Sequence, residues 1–142
     1  MSDAFDLQRF VKAQDPVYTQ VLAELRQGHK TSHWMWFVFP QIEGLGSSPM
    51  AQRYAITSLE EARAYLDHPL LGSRLHECCE ILTTIADRSA EQVFGFPDVH
   101  KLRSSMTLFA RASNAGTIFS RILDKFYAGE ADPATLARIK RS

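Results

Sequence analysis

Lys30-Thr31-Ser32-His33-Trp34-Met35-Trp36-Phe37-Val38-Phe39-Pro40-Gln41 gathers both tryptophans of the chain between polar residues and a proline. A large aromatic side chain buries ~150–250 Å², so the apolar run from Trp34 to Phe39 belongs inside a water-soluble domain. The polar residues on its flanks are then carried to the edge of the core, where a site can be built. How this run folds decides the fold class. As a strand it sends Trp34, Trp36 and Val38 to one face and Met35, Phe37 and Phe39 to the other, which needs a central place in a sheet. No other segment offers it a partner strand. The run therefore reads as a short buried helical turn, entered through Ser32 as N-cap and ended by Pro40.

Outward from it, the periodicity is helical. Before the run, Phe5, Leu7, Phe10 and Val11 mark a short amphipathic helix. Asp15-Pro16 reads as cap and first turn of a second, which bears Val17, Val21, Leu22 and Leu25 and stops at Gly28. After the run, Ser48-Pro49 opens a short helix, and Ser58-Leu59-Glu60-Glu61 is a capping box for another, to about Asp67. His68-Pro69 breaks that helix and starts the one carrying Leu71, Leu75, Cys78, Leu82 and Ile85, the expected central pillar. Ser89-Ala90-Glu91-Gln92 is a second capping box, before a turn stopped at Gly95. Pro97-Asp98 opens a helix with Val99, Leu102, Met106 and Phe109 inward, ending near Ser113-Asn114. A helix from about Gly116 to Ala128, and a last one after Asp132-Pro133, complete the chain. The expectation is an all-α fold: a single compact multi-helical domain over residues 1–142, of about eight helical segments, with no substantial β-sheet.

The totals bound the function. A chain of 142 residues buries roughly 68% of its unfolded surface on folding. Sixteen basic and sixteen acidic residues cancel, leaving no global field to draw nucleic acid or an anionic membrane, and neither is an expected partner. Cys78 and Cys79 are adjacent, which reads as two reduced, buried thiols in a cytoplasmic protein. The N-terminus has early acids and no apolar signal region, and Trp34 to Phe39 is far too short to cross a bilayer of ~30 Å.

Two polar stretches carry candidate chemistry. Lys30, Ser32 and His33 precede a helix start, where free backbone N–H groups, the dipole and a lysine favour phosphate or carboxylate. Trp36 can stack on a ring beside them, His33 can exchange a proton near neutral pH, and Gln41 closes the stretch. The same residues also fit a plain packing role, with Ser32 a cap and the tryptophans filling space. In the second stretch, Lys101, Ser104 and Ser105 lie one turn apart on one helix. A lysine there lowers the cost of ionising a serine, although the order reverses the known Ser-x-x-Lys motif and suits an interhelical hydrogen-bonding face as well. His29 with His33, and His76 with Glu80, have helical metal-ligand spacing but no third ligand, so no metal is expected. The loop Glu43–Ser48 lacks the strand and full glycine pattern of a dinucleotide fingerprint, so no cofactor is expected either.

His33 to Gln41 followed by Gly44-Leu45-Gly46-Ser47-Ser48, then Tyr54-Ala55-Ile56, Tyr65 to Gly72, and Lys101 to Phe109, together resemble the bacterial domain-of-unknown-function family 1810. The resemblance spans nearly the whole chain. It implies a compact, largely helical fold and no assigned activity. Some members carry a calpastatin label, but nothing in this sequence looks like a disordered protease inhibitor. Two functions are weighed: binding of a small anionic ligand, phosphate-bearing or nucleotide-derived, at the junction of the 30–41 stretch with the 98–109 helix; or a non-enzymatic helical interaction module or homo-oligomer.

Overall fold

The computed structural model describes residues 3–113 and 117–141. Ten helices follow in order: α1 Gln8–Gln14, α2 Tyr18–Gln27, α3 Met35–Val38, α4 Pro49–Arg53, α5 Leu59–Asp67, α6 Leu71–Thr84, α7 Ala90–Phe94, α8 Asp98–Ala112, α9 Ile118–Tyr127 and α10 Pro133–Arg141. Among the described residues there is no strand, and the extended backbone contributes one isolated parallel bridge, Ile42 to Ile56. The count exceeds the expected eight because α3, α4 and α7 are single turns of four or five residues. The expected end at Asn114 and start at Gly116 lie outside the described residues.

The aromatic run folds as a helical turn, with Trp34, Met35, Phe37, Val38 and Phe39 buried and Trp36 half-buried. Four residues cannot hold a helix by their own hydrogen bonds, because nucleation costs more than one turn returns. Two neighbouring helices supply what is missing. The Gln14 amide of α1 donates to Phe37 O at 2.7 Å and to the Tyr65 hydroxyl at 3.0 Å. The Glu24 carboxylate of α2 accepts the N–H groups of Thr31 at 2.7 Å and Ser32 at 3.0 Å, the Ser32 hydroxyl, and Trp34 Nε1 at 3.0 Å. Both side chains are 1% exposed. A buried carboxylate is tolerated only when its lone pairs are met, and these are.

Several expected caps moved. The N-cap of α3 is Trp34 with no side-chain bond, because the Ser32 hydroxyl is turned to Glu24. Asp15 is the C-cap of α1 and pairs with Arg74 at 2.8 Å, and α2 starts from Val17. At Ser58 half the box forms. The hydroxyl accepts Glu61 N–H at 3.1 Å, while the Glu61 carboxylate takes Thr57 N–H and Arg9 instead. The Ser89–Gln92 box is complete, Ser48 caps α4, and Asp132 caps α10 through Thr135 N–H at 3.0 Å.

The buried side chains form one hydrophobic cluster that runs from Leu7 to Ile139. The expected pillar, α6, packs on α2, α5 and α9, but α8 takes the central place, packed on α5, α7, α9 and α10. Its sequence hides this, because Ser104, Ser105 and Thr107 are all buried. Small hydroxyl side chains let helices approach closely, and two of them bond backward to carbonyls of their own helix: Ser104 to His100 O at 3.1 Å and Thr107 to Arg103 O at 2.8 Å. No helix among the described residues is long and apolar enough to cross a membrane.

Candidate functional site

Lys30 leaves α2 through the left-handed Gly28 and is fixed by its own N–H, which donates to Val93 O at 2.8 Å. That bond sets the 30–36 segment alongside the turn between α7 and α8. A cleft of about 400 Å³ lies there, lined by Lys30, Thr31, Ser32, His33, Met35, Trp36, Phe94, Phe96, Pro97, Asp98 and Lys101. Four of the expected ligand residues of the first stretch and Lys101 of the second therefore meet across one opening.

Asp98, the first residue of α8, organises the charges. Its Oδ2 is 2.7 Å from Lys30 Nζ and its Oδ1 is 3.5 Å from Lys101 Nζ. Two cations on one carboxylate leave the cleft with a net positive charge, while His33 stands exposed at the edge. The lysines differ in what remains to them. Lys30 is 6% exposed and also donates to Ser32 O at 2.6 Å, with its ammonium 5.1 Å from the Trp34 ring. Lys101 is more exposed and makes the longer ion pair, with its ammonium 5.1 Å over the Trp36 ring.

The backbone anion site expected at Thr31 and Ser32 is already filled. Glu24 reaches it from within and takes both N–H groups and the Ser32 hydroxyl. Burial raises the cost of the Glu24 charge, but the Ser32 hydroxyl and the N–H groups of Thr31 and Ser32 outweigh it and pull the pKa down to about 2. Ser32 thus faces inward, and an incoming anion must use the lysines. Ser104 and Ser105 line neither this cleft nor its neighbour. The Ser104 hydroxyl lies between His100 O and Asp132, and that of Ser105 is buried with no partner among the described residues.

Trp36 is shared with a second cleft of about 470 Å³, whose walls include Gln41, Glu43, Ser47, Gln52 and Tyr54. Gln41, the remaining expected residue, belongs here. The Trp34 indole N–H is spent on Glu24, whereas that of Trp36 has no hydrogen-bond partner among the described residues. Sequence reasoning missed Asp98 as the shared counter-ion, Phe96 at the rim with 77% of its surface exposed, and Glu24. The signal for Glu24 was legible: it stands three residues after Val21 on the apolar stripe of α2, where an acid needs a buried partner. Among the described residues no group of three or more His, Cys, Asp or Glu side chains could hold a metal ion. His76 packs its ring against Phe119 at 5.4 Å and lies 3.2 Å from Gly72 O through Nδ1.

The model of a family described as "protein of unknown function (DUF1810)" matches residues 4–139. Among solved structures, the crystal structure of the conserved hypothetical protein Rv1873 from Mycobacterium tuberculosis is 59% identical, with a TM-score of 0.95. The match covers 97% of this chain and 99% of that one. No curated protein matches the chain.

Proposed function

We propose, for a chain that belongs to the DUF1810 family of proteins of unknown function, that the cleft between the 30–36 segment and the α7–α8 turn binds a small phosphate-bearing ligand. Trp36 carries this reading. It is the half-buried tryptophan with an unused indole N–H, and it stands under the ammonium of Lys101 on the wall between two clefts. A core-filling residue needs none of these. Lys101 supplies charge to the anion, Trp36 and the exposed Phe96 supply apolar rings, and Lys30 with Asp98 holds the Lys101 side of the cleft in place. Cleft volumes of several hundred Å³ suit ligands of this size.

The interaction-module reading has less to stand on. Among the described residues, Leu70 and Phe96 are the large hydrophobic side chains left exposed, and Phe96 lies on the rim of the cleft itself. Two isolated side chains fall short of the contiguous apolar area that a partner interface uses.

Tryptophan emission tests the ligand reading directly, because Trp34 and Trp36 are the only fluorophores of their kind. A panel of phosphorylated metabolites and nucleotides, scanned by thermal shift, is expected to contain compounds that raise the melting temperature. At a ligand concentration of 100 Kd the stabilisation is about 2.7 kcal/mol. The same compounds should quench Trp36. Trp36→Phe should abolish the quench, and Lys101→Ala should remove the thermal shift while leaving the ligand-free melting temperature within a few degrees. A panel without a single binder at millimolar concentration, or a shift that survives Lys101→Ala, sinks the reading.

A further inference from the structure

The cation on which the phosphate reading relies already has an anion beside it. Asp98 lies between the two ammonium groups of the cleft and holds them unequally: Oδ2 meets Lys30 Nζ at 2.7 Å, whereas Oδ1 reaches Lys101 Nζ at 3.5 Å. Lys30 is closed in, because its ammonium also donates to Ser32 O at 2.6 Å and its backbone N–H is fixed on Val93 O. Lys101 is 23% exposed, and among the described residues its ammonium has no partner besides Asp98 and the face of Trp36. Asp98 is also the one carboxylate among the described residues that line this cleft.

An anion that enters at Lys101 therefore meets a competitor. Asp98 stands three residues before Lys101 on the same helix, so its effective concentration at that ammonium is on the order of millimolar or above. A free carboxylate offers Lys101 the same group and the same single charge, and it gives up translational freedom to do so, so the exchange gains nothing. A phosphodiester brings a single charge as well. A phosphomonoester above its second pKa of about 6 brings close to two charges and three strong acceptor oxygens, which is more than Asp98 supplies. The exchange is confined to the long arm of the carboxylate: the short pair with Lys30 keeps Asp98 in place while Lys101 is taken over.

Resting on the phosphate reading above, we infer that Asp98 is a built-in competitor for Lys101 and that it restricts the cleft to phosphomonoester dianions, excluding carboxylates and phosphodiesters. Binding is an exchange in which the phosphate takes Lys101 from Asp98 Oδ1 and Asp98 stays on Lys30. Trp36 and Phe96, on the same walls, face the group that the ester carries.

Phenyl phosphate, methyl phenyl phosphate and benzoate test this on one ring, since at about pH 8 the first is a dianion and the other two are monoanions. Titrated against Trp36 emission, phenyl phosphate should bind about tenfold tighter than either of the others. Asp98→Asn keeps the shape of the side chain and a carbonyl oxygen for Lys30 but removes the competing charge. It should tighten phenyl phosphate about tenfold and bring benzoate into measurable range. Asp98→Ser, which removes the carboxylate with a smaller group, should move phenyl phosphate in the same direction. Lys101→Ala should abolish binding both alone and together with Asp98→Asn. Far-UV circular dichroism melts confirm that each variant is folded. Binding seen only in the Asp98 variants supports competition. Unchanged or weaker phenyl phosphate binding in both Asp98 variants shows that Asp98 positions Lys101 instead of competing for it, and equal binding of phenyl phosphate and benzoate to the wild type removes the selection by charge; either result overturns the inference and leaves the phosphate reading standing. Failure of phenyl phosphate to bind the wild type and both Asp98 variants overturns both.

Discussion

At the scale of single residues, Glu24 has more consequences than any side chain of the aromatic run itself. Its carboxylate joins α2 to Thr31, Ser32 and Trp34, so the run is held from outside its own sequence. Glu24→Ala leaves the Trp34 indole N–H buried without its acceptor, at about 1–3 kcal/mol, and two part-buried backbone N–H groups without theirs at a smaller cost each. We expect a loss of about 3 kcal/mol or more in urea unfolding and a shift of Trp34 emission to the red. The pH dependence has a definite sign. The folded pKa lies at about 2, below the ordinary value of 4.5, so the charge stabilises the fold fully above pH 4.5 and the contribution is lost as pH falls toward 2. Unfolding free energy measured from pH 6 down to pH 2.5 should fall more steeply in the wild type than in Glu24→Gln; parallel curves would show that another group titrates in this window.

At the scale of elements, α5 and α6 meet backbone to side at Gly72, in the second position of α6. A Cβ built there falls 2.1 Å from the carbonyl oxygen of Leu66 in the last turn of α5. Backbone cannot swing aside as a flexible side chain can. Alanine is the better helix former by about 1 kcal/mol, but overpacking against a rigid atom costs about 1–3 kcal/mol and forces the helices apart. Gly72→Ala should therefore lower the urea midpoint, and a raised midpoint would mean that α5 and α6 cross at a greater distance. Small side chains serve α8 in the same way. Lys-Leu-Arg-Ser-Ser-Met-Thr reads as a polar helix face, yet its hydroxyls are the small side chains that let α8 sit among α5, α7, α9 and α10. The α6 C-terminus is closed in a related way, by Lys125 Nζ donating to Leu82 O, Thr83 O and Ile85 O.

At the scale of the whole molecule, one continuous core makes the adjacent thiols reporters of global opening. Cys78 and Cys79 are fully buried on α6, and burial pushes the Cys78 thiol up to about 12 and that of Cys79 well above its usual range. Neither can react as a thiolate in the native state. Ellman's reagent should label both only through open states of the protein, and Glu24→Ala should raise that rate about tenfold for each ~1.4 kcal/mol of stability lost. Labelling of the wild type within seconds at neutral pH would show a local path to α6 that bypasses global opening. The charge pattern belongs to this scale too. The net charge of zero hides a cleft in which Lys30 and Lys101 share the one carboxylate of Asp98, and only the folding of residues 30–36 against 96–101 assembles it.

By itself the sequence determined the helical class, most helix ends and the core half of the aromatic run, since these follow from apolar spacing, proline and glycine within a few residues. It also brought Lys30, His33, Trp36 and Lys101 forward as the polar residues at the edge of that core. Tertiary structure alone decided which polar groups are free. Glu24 fills the backbone anion site from a helix seven or more residues upstream of it, Asp98 couples two lysines that are far apart in the chain, and Ser104 and Ser105 vanish into a helix interface. The physical reason is that a polar side chain's role is set by the partner that meets it. Partners in a helical fold come from other helices, whereas periodicity records only which face of a helix is apolar.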